Sequence, residues 1–231
     1  MFRELKDDLL SVFYPDLCLG CGVVLFKQEK HICLVCKINL PKTNFDFNDN
    51  NYLEKIFWGR ISIEFASAFL YFSKHGLTQK LIHSLKYKNE PELGFYLGEL
   101  FAHNILEKIK ENPPDILTTV PLHPLKLKKR GYNQSDEIAK GLSKILNIEF
   151  NPNIIIRNKH TDTQTLKKRY NRWENTEFAF DLNPEFSIEN KHVCIIDDVI
   201  TTGATIEACG QEILKSKNSK VSFLSICVAY S

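Results

Sequence analysis

Apolar and polar positions follow two periods along most of the chain, one typical of strands and the other of helices. Short apolar runs rich in β-branched and aromatic residues predict strands at 65–72, 116–120, 153–156, 192–197 and 220–229. Apolar residues spaced three or four positions apart predict helices at 2–13, 76–87, 92–110, 134–146 and 205–216. Strands that alternate with helices indicate right-handed βαβ units, and hence an α/β fold with a mostly parallel sheet.

The periodic pattern is interrupted between residues 41 and 55, where asparagine, aspartate and proline favour turns. This polar stretch is the best candidate for a linker. We therefore predict an N-terminal module at residues 1–45, with one helix and a cysteine cluster, followed by a larger α/β domain at residues 46–231.

Length and composition agree with this division. The 231 residues, 43% of them hydrophobic, are enough for one sizeable α/β domain and a small module. The formal net charge is +2, so any contact with nucleic acid would have to come from local clusters. The charged start lacks the apolar core of a signal peptide, and no apolar run approaches the ~18 residues of a membrane span. We therefore expect a cytoplasmic protein.

Four of the seven cysteines are clustered in the arrangement Cys18-x2-Cys21-x11-Cys33-x2-Cys36. Two CxxC turns separated by such a loop place four thiolates around one tetrahedral ion, which suits Zn²⁺ and leaves no open ligand position. The spacing therefore predicts a structural zinc site rather than four independent buried cysteines. The other three cysteines lie in apolar strand or helix settings and are expected in the core; they are Cys194, Cys209 and Cys227.

A strand in the second half of the chain ends in two aspartates and a threonine-rich loop, VCIIDDVITTGAT at residues 193–205. Ligands of open α/β sheets bind beyond the carboxyl ends of the strands, and a loop entering a helix offers amide N–H groups to an anion. Gly203 lets the backbone approach a phosphate closely. The adjacent carboxylates of Asp197 and Asp198 suit the two hydroxyls of a ribose and can orient Mg²⁺ with its waters. The alternative is an acidic strand end that binds a different nucleotide or only caps a helix.

This segment resembles, over the 13 positions 193–205, the phosphoribosyl diphosphate (PRPP) binding motif of type I phosphoribosyltransferases. The resemblance implies that Asp197 and Asp198 contact the ribose hydroxyls. It also implies that the following loop holds the 5′-phosphate, and that loop consists of Thr201, Thr202, Gly203, Ala204 and Thr205.

Two basic segments follow predicted strands and are expected to form loops. The first, VPLHPLKLKKRGYNQ at residues 120–134, has four cations within five residues that could hold a diphosphate and its metal, among them Lys126, Lys129 and Arg130. The second, RNKHTDTQTLKKRYNRW at residues 157–173, begins with Arg157 and Lys159. The alternative for either segment is a solvated run of charges.

The cysteine pairs, the segment VPLHPLKLKKRGYNQS, the TxxQ…R…N segment and the acidic threonine-rich motif together resemble the ComF family, in order and over nearly the whole chain. Residues 76–98 also resemble the helix–LK–helix stretch of that family. ComF proteins are phosphoribosyltransferase-like proteins linked to DNA uptake in competent bacteria. The resemblance implies the type I phosphoribosyltransferase fold and a loop after Arg157 that closes over the substrate and excludes water. It makes Asp197, Asp198, Arg157 and Lys159 the candidate catalytic residues.

Two functions remain open at this stage. In the first, the protein binds PRPP with Mg²⁺ and transfers the phosphoribosyl group to an unknown acceptor, with the basic segments stabilising the departing diphosphate. In the second, it is a non-catalytic competence factor that binds single-stranded DNA through the zinc module and the basic segments, with Tyr132, Tyr170 and Trp173 stacking on bases. The PRPP site would then sense a ligand or bind a strand phosphate. A competence helicase is the partner that the resemblance implies.

Overall fold

The computed structural model of this chain describes residues 15–45, 47, 51–157 and 180–229. The predicted helix at 2–13, Lys159, Tyr170 and Trp173 lie outside the described residues, so their placement stays a prediction.

Helices and strands alternate along the described chain as expected. The helices are α1 (Leu34–Ile38), α2 (Tyr52–Phe57), α3 (Leu77–Tyr87), α4 (Pro91–Ile109), α5 (Pro124–Arg130), α6 (Gln134–Leu146) and α7 (Ala204–Leu214). The strands are β1 (Ala66–Phe72), β2 (Ile116–Thr119), β3 (Glu149–Phe150), β4 (Ile155–Arg157), β5 (Phe180–Leu182), β6 (His192–Ile200) and β7 (Lys220–Ala229).

Five of these strands form one sheet in the order β1-β7-β6-β2-β3, and every neighbouring pair is parallel. The predicted α/β fold with a parallel sheet flanked by helices is therefore confirmed. Strands β4 and β5 form a separate antiparallel pair. Because the five strands run in one direction, their carboxyl ends share one edge of the sheet, where open α/β sheets bind ligands.

Both faces of the sheet are covered, which explains why its central strands are apolar without alternation. Cys194 and Ile196 of β6 belong to the core layer that contains α3, α4 and α6, whereas Val193 and Ile195 belong to the layer that contains α2 and α7. The side chains of Cys194, Cys209 and Cys227 are fully buried, as predicted.

Helices α4 and α6 approach each other closely because glycines face the contact. A methyl group built on Gly98 would lie 2.2 Å from the Ile138 carbonyl oxygen, and one on Gly141 would lie 2.1 Å from the Phe95 carbonyl oxygen. Neither position has room for a side chain. The two glycines therefore allow the close spacing of α4 and α6.

The cysteine module packs on the same apolar layer as α3 and α4. Cys18, Ile32 and Leu40 are buried within that layer. The Lys80 ammonium of α3 also donates to the Gly20 carbonyl over 3.0 Å. The module therefore contacts the body of the protein through α3, and the division of the chain at residue 45 stays a prediction.

Two segments differ from their predicted structure. The polar stretch expected as a linker ends in the first residues of α2. Asn51 caps this helix by accepting from the amides of Leu53 and Glu54, and the side chains of Leu53 and Phe57 are fully buried. The basic segment after β2 contains α5, which begins at Pro124. Proline at the first helical position lacks only an N–H that would have no helical partner, so it begins a helix as readily as it stiffens a loop.

None of the helices within the described ranges combines the length and the apolar character needed to cross a lipid bilayer.

Candidate functional site

A cavity of about 320 Å³ opens at the carboxyl edge of the sheet, where β6 ends beside the starts of α5 and α6. It gathers side chains from six parts of the chain. Those with polar or charged groups are Lys86, His123, Lys126, Arg130, Asn133, Gln134, Ser135, Arg157, Asp197, Asp198 and Thr205. The cavity therefore unites the acidic motif with members of both basic segments.

The carboxylate of Asp197 is held by two donors to the same oxygen. Asp197 Oδ1 accepts from the Ser135 hydroxyl over 3.3 Å and from the Asp198 amide over 2.8 Å. Burial, and then the charge of the adjacent Asp198, raise the pKa of Asp197 to about 7. This carboxyl group is therefore only partly ionised at neutral pH, unless a ligand or cation favours the charged form.

Asp198 faces the end of α3. Its Oδ2 lies 3.0 Å from the Lys86 ammonium, with 22% of the lysine side chain and 12% of the aspartate side chain exposed. The Tyr132 hydroxyl donates to the Leu85 carbonyl and so fixes the last turn of α3. Lys86 escaped prediction as a site residue, and its only signal was its place in the LK pair of the helix–LK–helix stretch.

The threonine-rich loop leads from β6 into α7 as predicted. Gly203 has φ 77°, a left-handed conformation that favours glycine, and α7 begins at the next residue. Residues 201–205 line a depression of about 40 Å³ together with Asp197. The loop therefore lies beside the acidic pair and presents the start of α7 to it.

Arg60, which follows α2, contacts both this loop and α7. Its guanidinium donates to the carbonyls of Thr202 and Ile56, each over 3.0 Å, and forms an ion pair with Glu207 of α7. No local pattern in the sequence indicated this role, because Arg60 is 142 positions from Thr202.

The basic segments contribute unequally to the cavity. Lys126 and Arg130, one helical turn apart on α5, both line it, and Arg157 at the end of β4 does so too. Lys129 is exposed and is not among the described lining residues, because it lies on another face of α5. Its predicted contact with a diphosphate stays a prediction.

A buried polar network connects the end of β2 to the start of α6. Asp136 Oδ1 accepts from the Thr119 hydroxyl over 2.6 Å and from the side-chain amide nitrogen of Asn133 over 2.8 Å. Asn133 also donates to the Val120 carbonyl over 3.2 Å and caps α6 by accepting from the Ser135 amide. The wall of the cavity that carries Ser135 is thus held by several hydrogen bonds.

The four clustered cysteines meet at one point. The Sγ atoms of Cys18, Cys21, Cys33 and Cys36 all lie within 4.8 Å of one another. The Cys21 and Cys33 sulfurs are 3.6 Å apart, close to the ~3.8 Å between sulfurs that a tetrahedral ion with Zn–S bonds of about 2.3 Å requires.

Backbone amides favour negative charge on one thiol of this cluster, Cys18, whereas burial and the neighbouring thiols raise the pKa of Cys36. Burial opposes ionisation of Cys18, but backbone hydrogen bonds from Cys21, Cys33 and Gly20 outweigh it and lower the pKa of this thiol to about 6. Several thiolates in contact need a cation to offset their repulsion. The donor set therefore fits one soft, tetrahedral metal ion such as Zn²⁺.

Residues 127–230 match the phosphoribosyl transferase domain family. This chain carries a phosphoribosyltransferase-type domain. The matched region includes β6, the threonine-rich loop, α7 and β7, so the family match covers the acidic side of the cavity. The fold predicted from the sequence, a phosphoribosyltransferase domain behind an N-terminal four-cysteine module, is confirmed.

Relatives of this chain carry names that refer to DNA utilization or to competence. The DNA utilization protein YhgH of Escherichia coli strain K12 is 31% identical over 150 residues, which are 64% of this chain and 65% of that protein. Competence protein F of Haemophilus influenzae is 32% identical over 136 residues, 54% of this chain and 57% of that protein. The match spans less than two thirds of either relative. These relatives confirm the resemblance to the ComF family.

Solved phosphoribosyltransferases resemble the chain more distantly. The purine phosphoribosyltransferase of Pyrococcus horikoshii is 19% identical with a TM-score of 0.38, over 58% of this chain and 74% of that one. A hypoxanthine phosphoribosyltransferase of Staphylococcus aureus is 14% identical with a TM-score of 0.38, over 62% and 68%.

Proposed function

We propose that the cavity at the carboxyl edge of the sheet binds PRPP with Mg²⁺, and that the domain transfers the phosphoribosyl group to an acceptor still to be identified. The observation that supports this most strongly is the meeting of Asp197, Asp198 and Thr205 with four cations in one cavity, beside the depression that residues 201–205 line with Asp197. The carboxylates and the loop suit a ribose with its 5′-phosphate, and the cations suit a diphosphate.

Each part of the ligand has matching groups. The two carboxylates accept hydrogen bonds from the ribose hydroxyls, and the amides and hydroxyls of residues 201–205 bind the 5′-phosphate. Lys126, Arg130 and Arg157 face the remaining space, where a diphosphate on C1 would lie. Carboxylate oxygens are also the ligands that Mg²⁺ prefers, and the ion neutralises diphosphate charge when it is bound.

In the proposed transfer, a nucleophile of the acceptor forms a bond to C1 of the ribose while the bond from C1 to the diphosphate oxygen breaks. Negative charge then builds up on the departing diphosphate. The cations of α5 and Arg157 stabilise that charge. Asp197 and Asp198 keep the ribose oriented, and Lys159 stays a predicted contributor to the same step.

Calorimetric titration with PRPP and MgCl₂ tests this function. The wild-type protein should bind PRPP, and the double variant Asp197→Asn, Asp198→Asn should bind it at least about a hundredfold more weakly, because two charged acceptors are lost. Glu107→Gln is the control, since it neutralises an exposed carboxylate on α4. A screen for diphosphate release with candidate amines and bases then tests catalysis. A wild-type protein that gives no heat with PRPP contradicts the proposal.

A second function is supported by a separate basic cleft. This cleft, of about 680 Å³, lies between the cysteine module and α3, and its charged or titratable lining groups other than Cys18 and Cys21 are His75, Lys80, His83 and Lys88. Tyr87, 59% exposed, lies beside it, with its ring centre 4.9 Å from that of His83 and the two rings tilted by 45°. Cations beside an exposed aromatic ring suit single-stranded DNA, and the names of the relatives agree with such a ligand.

Fluorescence anisotropy with a labelled oligonucleotide tests the second function. Binding should weaken steeply with salt, because each neutralised phosphate of a single strand adds about −0.7 to the logarithmic slope. Lys80→Met with Lys88→Met should weaken binding, whereas the Asp197, Asp198 double variant should not. If the affinity does not change with salt or with the two lysine substitutions, this cleft is not the DNA-binding site. A cytoplasmic location and a competence helicase as partner stay predictions.

A further inference from the structure

We propose that Lys86 makes the cavity prefer a ligand with a diphosphate on C1: its ammonium pairs with Asp198 until ribose hydroxyls engage that carboxylate, and then binds the diphosphate. This inference deepens the proposed function and rests on it. It assigns to Lys86 a role in specificity that lies outside the acidic motif and both basic segments.

The position of Lys86 allows such an exchange. Its ammonium lies 3.0 Å from Asp198 Oδ2, and both side chains line the cavity that Lys126, Arg130 and Arg157 also line. The backbone beneath it is fixed, because it lies in the last turn of α3. The four-carbon stem of a lysine is flexible, so the ammonium can move while the helix stays in place.

The electrostatic balance gives a reason for the exchange. Two adjacent carboxylates repel each other, and a nearby ammonium favours their ionised forms. When ribose hydroxyls replace the ammonium at Asp198, they donate hydrogen bonds but bring no positive charge. The released ammonium, with 22% of its side chain exposed, then lacks a counter-charge unless an anion arrives with the sugar.

PRPP and ribose 5-phosphate differ in whether they supply that anion. PRPP carries a diphosphate on C1, which can take the released ammonium, whereas ribose 5-phosphate carries only a hydroxyl there. Lys86 should therefore strengthen the binding of PRPP. It should oppose the binding of ribose 5-phosphate, because that ligand must displace Lys86 from Asp198 without compensation. The effects on the two ligands have opposite signs.

The two arginines of the cavity are less suited to this exchange. Arg130 Nη1 donates to Gln134 Oε1 over 2.7 Å and its guanidinium lies 5.4 Å from the centre of the Tyr87 ring. Arg157 lies 5.1 Å from the centre of the Phe180 ring. These guanidinium groups have partners other than the acidic pair, whereas Lys86 is bound to Asp198 itself.

Parallel titrations with PRPP and with ribose 5-phosphate, both with MgCl₂, test the inference. In Lys86→Met the affinity for PRPP should fall by about ten- to a hundredfold, the range of one charged hydrogen bond. The affinity for ribose 5-phosphate should rise. Lys220→Met is the matched control, because Lys220 is also paired with a carboxylate, Glu64 over 3.3 Å, but lies where β7 begins, at the opposite edge of the sheet.

The outcomes separate this inference from the function on which it rests. If Lys86→Met weakens both ligands equally, Lys86 is only structural and the inference is wrong although PRPP binding stands. If PRPP affinity does not change, the inference is also wrong. If the wild-type protein binds neither ligand, the proposed function itself fails, and the inference fails with it. Should Lys86→Met not fold, Lys86→Gln keeps a donor to Asp198 without the charge and should lose the same preference.

Discussion

The hydroxyl of Ser135 donates to Asp197 Oδ1 over 3.3 Å and so joins the first turn of α6 to the carboxyl end of β6. These residues are 62 positions apart in the sequence. Asn133 fixes Ser135 by capping α6 and by donating to the Val120 carbonyl, next to the end of β2. The geometry of the acidic pair therefore depends on the helix that starts beside it, as well as on the strand that carries it.

The raised pKa of Asp197 predicts a cost in stability that the substitution Asp197→Asn removes. The pKa is about 7 in the folded protein against an ordinary value of 3.8, so between these values the folded state binds more protons than the unfolded state. Stability therefore falls as pH rises through this window, by at most about 1.4 kcal/mol per pH unit. Asparagine does not titrate, and its carbonyl oxygen can keep both donors of Asp197 Oδ1.

Urea unfolding at pH 5 and at pH 8 measures this effect. The advantage of Asp197→Asn over the wild type should be larger at pH 8, with an upper limit of about 4 kcal/mol for the whole window. Ser135→Ala is a useful comparison, because it removes one donor to the carboxylate without removing the charge. Equal differences at the two pH values would mean that Asp197 is ionised throughout.

The two faces of α5 should differ in their effect on PRPP binding. Lys126→Met removes a cation that lines the cavity and should weaken binding by roughly tenfold, the effect of one contact to a charged group. Lys129→Met makes the same chemical change on an exposed face of the same helix, and its effect should stay below about threefold, as for a screened surface charge. Calorimetry on the two variants decides. Equal losses would place Lys129 at the diphosphate.

The cysteine module should contain one metal ion per chain, and Cys21→Ser should lose most of it. Elemental analysis of the purified protein gives the metal content. Cys209→Ala is the control, because it removes a fully buried thiol of α7 that is not part of the cluster. Both variants should be less stable, but only the first should lose metal. Retention of the metal in Cys21→Ser would show that the four sulfurs do not share one ion.

Chelation should also lower the melting temperature of the wild-type protein. Cys18, Cys33 and Cys36 lie in the same buried layer as residues of α3, α4 and the sheet, so the loss of the ion loosens part of the main core. Restored zinc should restore the melting temperature. A melting temperature that chelation does not change would contradict a structural role for the ion.

Gly141→Ala should destabilise the protein by about 1–3 kcal/mol, the usual cost of forcing a methyl group into a filled contact. The added carbon would lie 2.1 Å from the Phe95 carbonyl oxygen of α4. Lys140→Ala, on the exposed side of the same helix, removes an ion pair with Glu137 and should cost about 0.5 kcal/mol or less. Chemical denaturation of the two variants compares them, and similar stabilities would mean that α4 and α6 can separate without cost.

Features that depend on neighbouring residues were predictable from the sequence. The strand, acidic pair, threonine loop and helix between residues 192 and 216 are consecutive, and each has a local signal: a β-branched run, a polar pair, a glycine and a helical period. The cysteine cluster has the same advantage, because two short turns fix its spacing. For these features the structure agrees with the sequence patterns, except that β6 continues through both aspartates to Ile200.

Features that depend on distant residues were not predictable in this way. Lys86 meets Asp198 only because α3, packed on β1 and α4, ends beside β6, and Arg60 meets Thr202 only because α2 packs against the loop. Helix α2 was missed because the burial of Leu53 and Phe57 outweighs the polar composition around them. In α5, the stretch Pro124–Arg130 looked like a loop because prolines and a charge run dominate its composition.

Helix α3 spans the distance between two chemically different centres with eleven residues. Near its first turns Leu77 and Lys80 touch the backbone of Gly20, between two of the thiol ligands, and in its last turn Lys86 touches Asp198. A shift of α3 would therefore change the contacts at both the cysteine cluster and Asp198. If loading of the thiol cluster changes the affinity for a sugar diphosphate, thermodynamic linkage requires the sugar diphosphate to change the affinity for the metal by the same factor.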